Sequence, residues 1–410
     1  MVRSPAGSAD LLLRNLTLID GTRRGPQSGL DVLVRGGRVA AIGRALHPPD
    51  GAISADLAGA TCLPGLIDCH VHFSLGAGPS EEQDVRDPIE IVAMRAARFV
   101  EQTLDAGFTT VRDIASREAL NIHLRDAVER GIIRGPRILA CGLHLCITGG
   151  HGWEFGRECD GADGTRAAVR EQVKRGADVI KFMASGGVMT PGGPPKAPQF
   201  SLEELGAGVE EAHKAGRRAA AHAHAADAIR NAVMAGIDSI EHGTFITDDL
   251  IEEMRRRGTF LVPTFAAIDQ LVRHAEDGGM PGYVVERALE AAAAHRDAMQ
   301  RCIRAGVRIA MGTDAGSPFN LHGENAQELR LMVEAGMGPL DALRASTVDA
   351  AELCGLDREL GTVEVGKRAD LLVVDGDPLL DIGLLRDRDR FVLLLRDGRV
   401  VRRSPHVVLD

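Results

Sequence analysis

The sequence predicts an α/β protein: a (β/α)8 barrel of TIM type with a small β-sandwich domain built from both chain ends. Three observations predict it. Along the middle of the chain a helical stretch, an Ala-Gly or Arg-Gly step and a short apolar run recur. Strand and helix alternate strictly there, which implies parallel strands joined by right-handed crossovers. The two ends instead read as short strands and hairpins around turn signals.

Taken in order, Leu11–Ile19 and Asp31–Ile42 are expected strands, the second folded at Gly36-Gly37. The barrel then opens with Leu66–His72. Phe108–Asp113 follows Ala106-Gly107, and Arg137–Cys141 follows Gly135-Pro136. Asp178–Met183, Arg218–His222, Asp238–His242 and Thr259–Thr264 come after Gly176, Gly216, Gly236 and Gly258. Val307–Thr313, after Ala305-Gly306, completes the eight. A glycine just past a helix takes up the left-handed conformation that ends it. Residues 62–356 supply the roughly 250 or more residues that such a barrel needs. An open doubly wound sheet would carry GxGxxG after its first strand, and none is present. The glycine loop from Ser185-Gly186-Gly187 to Gly192-Gly193 lacks the Lys-Ser/Thr of a phosphate loop. Beyond the barrel, Ala369–Val374 and Phe391–Val401, with a turn at Asp397-Gly398, are again strands. Neither end could bury much core alone, so the two are expected to pack together. The divisions are 1–61, 62–356 and 357–410.

The 410 residues carry 48 Lys+Arg against 58 Asp+Glu, a formal charge of −10. A protein that grips nucleic acid through its phosphates would carry a basic excess, so that class is set aside. Charge or glycine interrupts every apolar stretch well before the ~18 residues of a membrane span, and Met1–Asp10 lacks an apolar signal core. No membrane association is expected. The seven cysteines form no CxxC pair and are read as mostly buried thiols of a reducing, cytoplasmic protein.

The placement of the 14 histidines carries the chemistry. His70 and His72 end the first strand, where alternation points both imidazoles to one side. His222 and His242 end the fifth and sixth strands, and Asp314 ends the eighth. Side chains at the carboxyl ends of barrel strands converge on one mouth. A lone histidine is more often a hydrogen-bonded structural residue, but five potential ligands converging from four strand ends are not explained that way. Imidazole with carboxylate suits Zn²⁺ or a similar divalent ion, whereas Mg²⁺ and Ca²⁺ prefer oxygen. Lys181 stands in the apolar strand Val179-Ile180-Lys181-Phe182. Desolvation there should lower its pKa and free a neutral amine, which can take up carbon dioxide as a carbamate.

These residues resemble the amidohydrolase superfamily. The opening motif is Pro64-Gly65-Leu66-Ile67-Asp68-Cys69-His70-Val71-His72, and Lys181, His222, Glu241-His242-Gly243 and Thr313-Asp314 follow in family order. The run Gly361 to Leu371 resembles the family's return from barrel to β-domain. Ile147 to Gly152, Ser185-Gly186-Gly187, His222-Ala223-His224 and His322 to Asn325 are similar to the imidazolonepropionase-like, Xaa-Pro dipeptidase and ochratoxinase-type group. The resemblance implies two divalent ions, Zn²⁺ in the first instance. His70, His72 and Asp314 would hold one, His222 and His242 the other, and N6-carboxylated Lys181 would bridge them. It implies hydrolysis of a C–N bond, with Asp314 moving a proton from water to the departing amine.

On the substrate side, prolidase-like relatives use a histidine matching His151, and His224 and His322 are further candidate contacts. The expected substrate is a small amide with a free carboxylate, such as an Xaa-Pro or Xaa-hydrophobic dipeptide or an N-acyl or N-aroyl amino acid. A cyclic-amide hydrolase of the imidazolonepropionase kind is the alternative, against which Lys181 argues. A non-catalytic interaction protein would normally show substituted ligands, and all six are intact. The long segment Phe265 to Asp297 is a candidate lid. A homo-oligomer is expected.

Overall fold

The computed structural model describes residues 10–190, 193–276 and 278–408; Gly192 of the glycine loop lies outside them. The strands Leu66–Val71, Phe108–Asp113 and Arg137–Ala140 pair in parallel, as do Val179–Met183, Arg218–Ala223, Ser239–His242 and Phe260–Val262. The two sets meet where the Asp178 N–H donates to Ala140 O at 2.7 Å and Leu145 pairs with Phe182. The strands thus follow one another in chain order, an α/β arrangement of TIM-barrel type. Helices such as Ile89–Asp105, Gly161–Arg175 and Leu202–Lys214 cover the outside. The glycines expected to end helices do so: Gly176 and Gly236 cap theirs at φ 97° and 90°.

The eighth strand is a correction. Val307–Thr313 forms no regular strand; Ile309 makes an isolated parallel bridge to Leu261, and Ala315 another to Val71. The segment still lies between its two expected neighbours, because Cys69 N–H donates to Met311 O (2.9 Å) and Asp314 N–H to His70 O (2.7 Å). The ladder is interrupted because a side chain replaces part of it. The buried Asp68 carboxylate accepts the Thr313 N–H (3.1 Å), the Thr313 hydroxyl (2.7 Å) and the Asn325 amide (2.7 Å).

Strands from both chain ends join in one eight-stranded sheet. Thr61–Pro64 pairs in parallel with Leu11–Leu18 and antiparallel with Leu371–Val374, then leads through Gly65 into the first barrel strand. Leu371 and Val373 pack in the core of this sheet, while Leu372 and Val374 pack with Phe108 and Leu66 of the barrel. The period-two alternation of a strand explains how one short run serves two cores. Ile53–Asp56 and Thr61–Pro64 were not anticipated as strands. All seven cysteines are buried and free.

The segment expected as a lid is two helices, Phe265–Arg273 and Gly282–Ala305. Val284, Ala288 and Ala291 pack on Val188, Ile268 and Leu271. The Tyr283 hydroxyl donates to Met189 O at 3.0 Å and Arg287 to Thr190 O at 2.8 Å. It is a packed wall. No helix among the described residues is long and apolar enough to cross a membrane.

Candidate active site

A cavity opens at the carboxyl ends of the barrel strands, and every proposed metal ligand lines it. His70 and His72 project from the first strand and the step beyond it, with their Nε2 atoms 3.1 Å apart. Asp314 Oδ1 lies 2.9 Å from His72 Nε2 and 3.3 Å from His70 Nε2. His70 Nδ1 meets Glu241 Oε2 at 2.9 Å, and His72 Nδ1 meets Ala115 O at 3.1 Å. A carboxylate and a carbonyl only accept, so Nδ1 of each ring carries a proton and Nε2 faces the cavity, as a lone pair whenever the ring is neutral.

Three lone-pair atoms this close repel one another unless a positive charge sits among them. Donors at about 2.0–2.1 Å in a tetrahedron around Zn²⁺ stand about 3.3 Å apart, so the spacing and the donor types both fit a divalent ion. Burial opposes ionisation of Asp314, yet His70 and His72 hold its carboxyl well below the usual carboxylate range. Its backbone takes φ 62°, rare for a non-glycine residue.

A second group contains His222, His224 and His242, with ligand-capable atoms within 4.8 Å of one another. His222 donates through Nε2 to Gly186 O at 3.1 Å, which leaves the Nδ1 lone pair free. His242 Nδ1 meets Thr264 Oγ1 at 2.6 Å, and His224 Nδ1 meets Thr244 Oγ1 at 2.7 Å. His224, expected as a substrate contact, stacks on His242 with ring centroids 4.6 Å apart. Its third position in the group was not anticipated.

Lys181 lies buried in the cavity wall, and its Nζ makes no ion pair or hydrogen bond with any described residue. Burial lowers its pKa to about 8, which Glu241 and Asp314 oppose and Arg112 assists. A neutral amine is therefore accessible near physiological pH, as carbamate formation requires.

Behind His70 stands an ionic relay that the sequence did not disclose. The buried Arg112 donates to Cys69 O (2.6 Å), Ser239 Oγ (3.1 Å) and Glu241 Oε1 (2.8 Å). Burial works against ionisation of Glu241, but Arg112, His70 and Lys181 bring its pKa to about 2. An arginine inside the apolar strand Phe108–Asp113 was the available signal. Glu81 was also missed; it lines the cavity mouth, where burial, offset in part by His72, pushes its carboxyl up to about 7.

His151 lines the cavity with its ring centroid 4.4 Å from that of His222, and its Nδ1 lies 2.5 Å from Thr190 Oγ1. Burial brings His151 to about 4 and His224 to about 3, so both present neutral imidazoles. His322 is not among the cavity residues. It donates through Nε2 to Leu75 O at 3.0 Å and stacks on Phe99 at 4.5 Å, holding the loop after the first strand. Val188, Met189, Ile268 and Leu271, packed together, add an apolar stretch to the cavity lining.

A sequence profile of the amidohydrolase family matches residues 61–402. The ochratoxinase of Aspergillus niger is 34% identical over 374 residues, covering 83% of this chain and 75% of that protein. A solved Xaa-Pro dipeptidase with methionine in its active site superposes with a TM-score of 0.87 at 33% identity, over 96% of this chain and 99% of that one. A prolidase complexed with N-methylphosphonate-L-proline gives a TM-score of 0.91 at 34% identity, over 97% of this chain and all (100%) of that one.

Proposed function

Because the chain belongs to the amidohydrolase family, and is a hydrolase acting on C–N bonds, we propose that it uses two divalent metal ions to cleave the amide bond of a small carboxylate-bearing substrate. Xaa-Pro and Xaa-hydrophobic dipeptides and N-acyl or N-aroyl amino acids are the substrate class. The observation that carries this reading is the pair of clusters, His70/His72/Asp314 and His222/His242 with His224 beside them, in one cavity with Lys181, whose Nζ has no partner among the described residues. The family resemblance of these positions, and relatives that include an ochratoxinase and Xaa-Pro dipeptidases, support it.

His70, His72 and Asp314 would hold one ion and His222 and His242 the other, with carboxylated Lys181 between them. Bound there, zinc would supply Lewis-acid activation of water and of the scissile carbonyl. Asp314 is ionised and placed to accept the proton from the attacking water, then return it to the departing amine nitrogen. Glu241 and Arg112 keep His70 in the tautomer that faces the cavity. His151 and His224, both neutral, recognise the substrate carboxylate by hydrogen bonds, and the wall of Val188, Ile268 and Leu271 takes an apolar side chain.

The test assays zinc-loaded protein against dipeptide and N-acyl amino-acid libraries, reading released amino acid. The best substrate is then compared with its C-terminal amide in wild type and in His151→Ala. Wild type is expected to prefer the free acid and the variant to lose that preference. Equal cleavage of acid and amide by wild type contradicts the carboxylate assignment.

A further inference from the structure

Helix Phe265–Arg273 begins without the usual cap. The first N–H groups of a helix lack internal partners, and the residue before the helix commonly supplies a side-chain acceptor. Thr264 occupies that place and makes no such bond. Its hydroxyl is engaged elsewhere, donating to Pro263 O at 2.6 Å and lying 2.6 Å from His242 Nδ1. With its one proton spent on Pro263, Thr264 Oγ1 accepts from His242, which places the imidazole proton on Nδ1 and the lone pair on Nε2. Thr264 holds φ 56°, a left-handed conformation that a β-branched residue seldom adopts.

The missing cap comes from a distant helix. Glu328, fully buried on Gln327–Glu334, accepts the Phe265 N–H through Oε1 at 2.8 Å and the Ala266 N–H through Oε2 at 2.7 Å. Gln327 adds a bond from Nε2 to Asp269 Oδ2 at 3.1 Å, on the same helix. The division of labour is therefore specific. Glu328 satisfies the helix, and Thr264 is released to satisfy His242.

We infer that Glu328 is a positioning residue for the second ligand group, acting through the Phe265–Arg273 helix start and Thr264 to fix the tautomer and aim of His242. Without it, the uncapped N–H groups compete for the Thr264 hydroxyl, and His242 loses the acceptor that keeps its Nε2 lone pair toward the cavity. The inference rests on the proposed role of His242 as a metal-holding residue, but its first readout needs no metal.

The experiment records long-range proton–nitrogen spectra of histidine-labelled, metal-free protein, with the His242 signal identified by its loss in His242→Gln. Wild type is expected to show the Nδ1-protonated form, Thr264→Ser to retain it, and Thr264→Val and Glu328→Gln to shift it toward the other tautomer. Zinc affinity, measured by competition with a chromogenic chelator, should fall about tenfold or more in Glu328→Gln and in Thr264→Val, and the double variant should be no weaker than the worse single. Should Glu328→Gln fail to fold, Glu328→Asp, with the carboxylate on a shorter stem, replaces it throughout. A His242 tautomer and a zinc affinity unchanged in the folded Glu328 variant overturn the inference, as do additive losses in the double variant. Failure of wild type to bind zinc would count against the proposed function and leave the tautomer readout to decide the inference.

Discussion

The two ligand groups sit in one cavity yet are supported by different chemistry. His70, His72 and Asp314 include an ionised carboxylate and are backed by the buried ion pair of Arg112 and Glu241, at 2.8 Å. His222, His224 and His242 are all imidazoles, backed by threonine hydroxyls and a backbone carbonyl. The first group brings its own negative charge to a cation. The second is neutral, and only a carboxylated Lys181 would add a negative charge next to it. The difference teaches that the two positions should not bind metal equally, and that Lys181 matters most to the second.

The largest effect is expected at Lys181. Lys181→Ala should abolish turnover and take zinc from the second group while the first retains its own, so that metal analysis falls toward one ion per chain. Short-chain carboxylic acids, which mimic a carbamate, should restore part of both. Loss of both ions together would erase the proposed asymmetry.

Asp314→Asn should lower kcat by roughly 10²–10⁴-fold, the usual cost of a lost acid–base group, with the fold intact. Near-normal kcat would remove Asp314 from the proton path.

Stability should separate the two supports. Arg112→Met strands the buried Glu241 charge and should cost about 3–5 kcal/mol, whereas Thr264→Val removes only neutral hydrogen bonds, to Pro263 O and His242, and should cost about 1–3 kcal/mol. Urea unfolding of the two variants measures this, and equal losses would deny that the first group is held ionically.

The smallest effect is a pH slope. Burial pushes the Glu328 carboxyl from 4.5 up to about 8, with the Ala266 and Phe265 N–H groups pulling it partly back. A group whose folded pKa is raised leaves more protons on the folded state, so its contribution is complete below 4.5 and is lost as pH rises toward about 8. Across that window wild type should lose stability relative to Glu328→Gln, narrowing the gap between them. A gap constant in urea titrations would mean that Glu328 does not titrate there.

Much of this was legible because punctuation and alternation are local. Gly176 and Gly236 mark helix ends in the sequence as they do in space, and the His70-Val71-His72 spacing already places two imidazoles on one side. The irregular eighth strand was not legible, because Asp68, about 245 residues earlier, takes the hydrogen bonds of Thr313. Arg112 reaches Glu241 across 129 residues and Glu328 reaches Phe265 across 63, and spacing says nothing about such partners. His322 shows the converse: a histidine in a promising motif whose ring packs on Phe99 and supports a loop.

The central claim is a two-ion site, and metal analysis of protein purified without chelator and with bicarbonate present tests it most directly. The account predicts close to two divalent ions per chain in fully active protein. A firm value of one at full activity would contradict it.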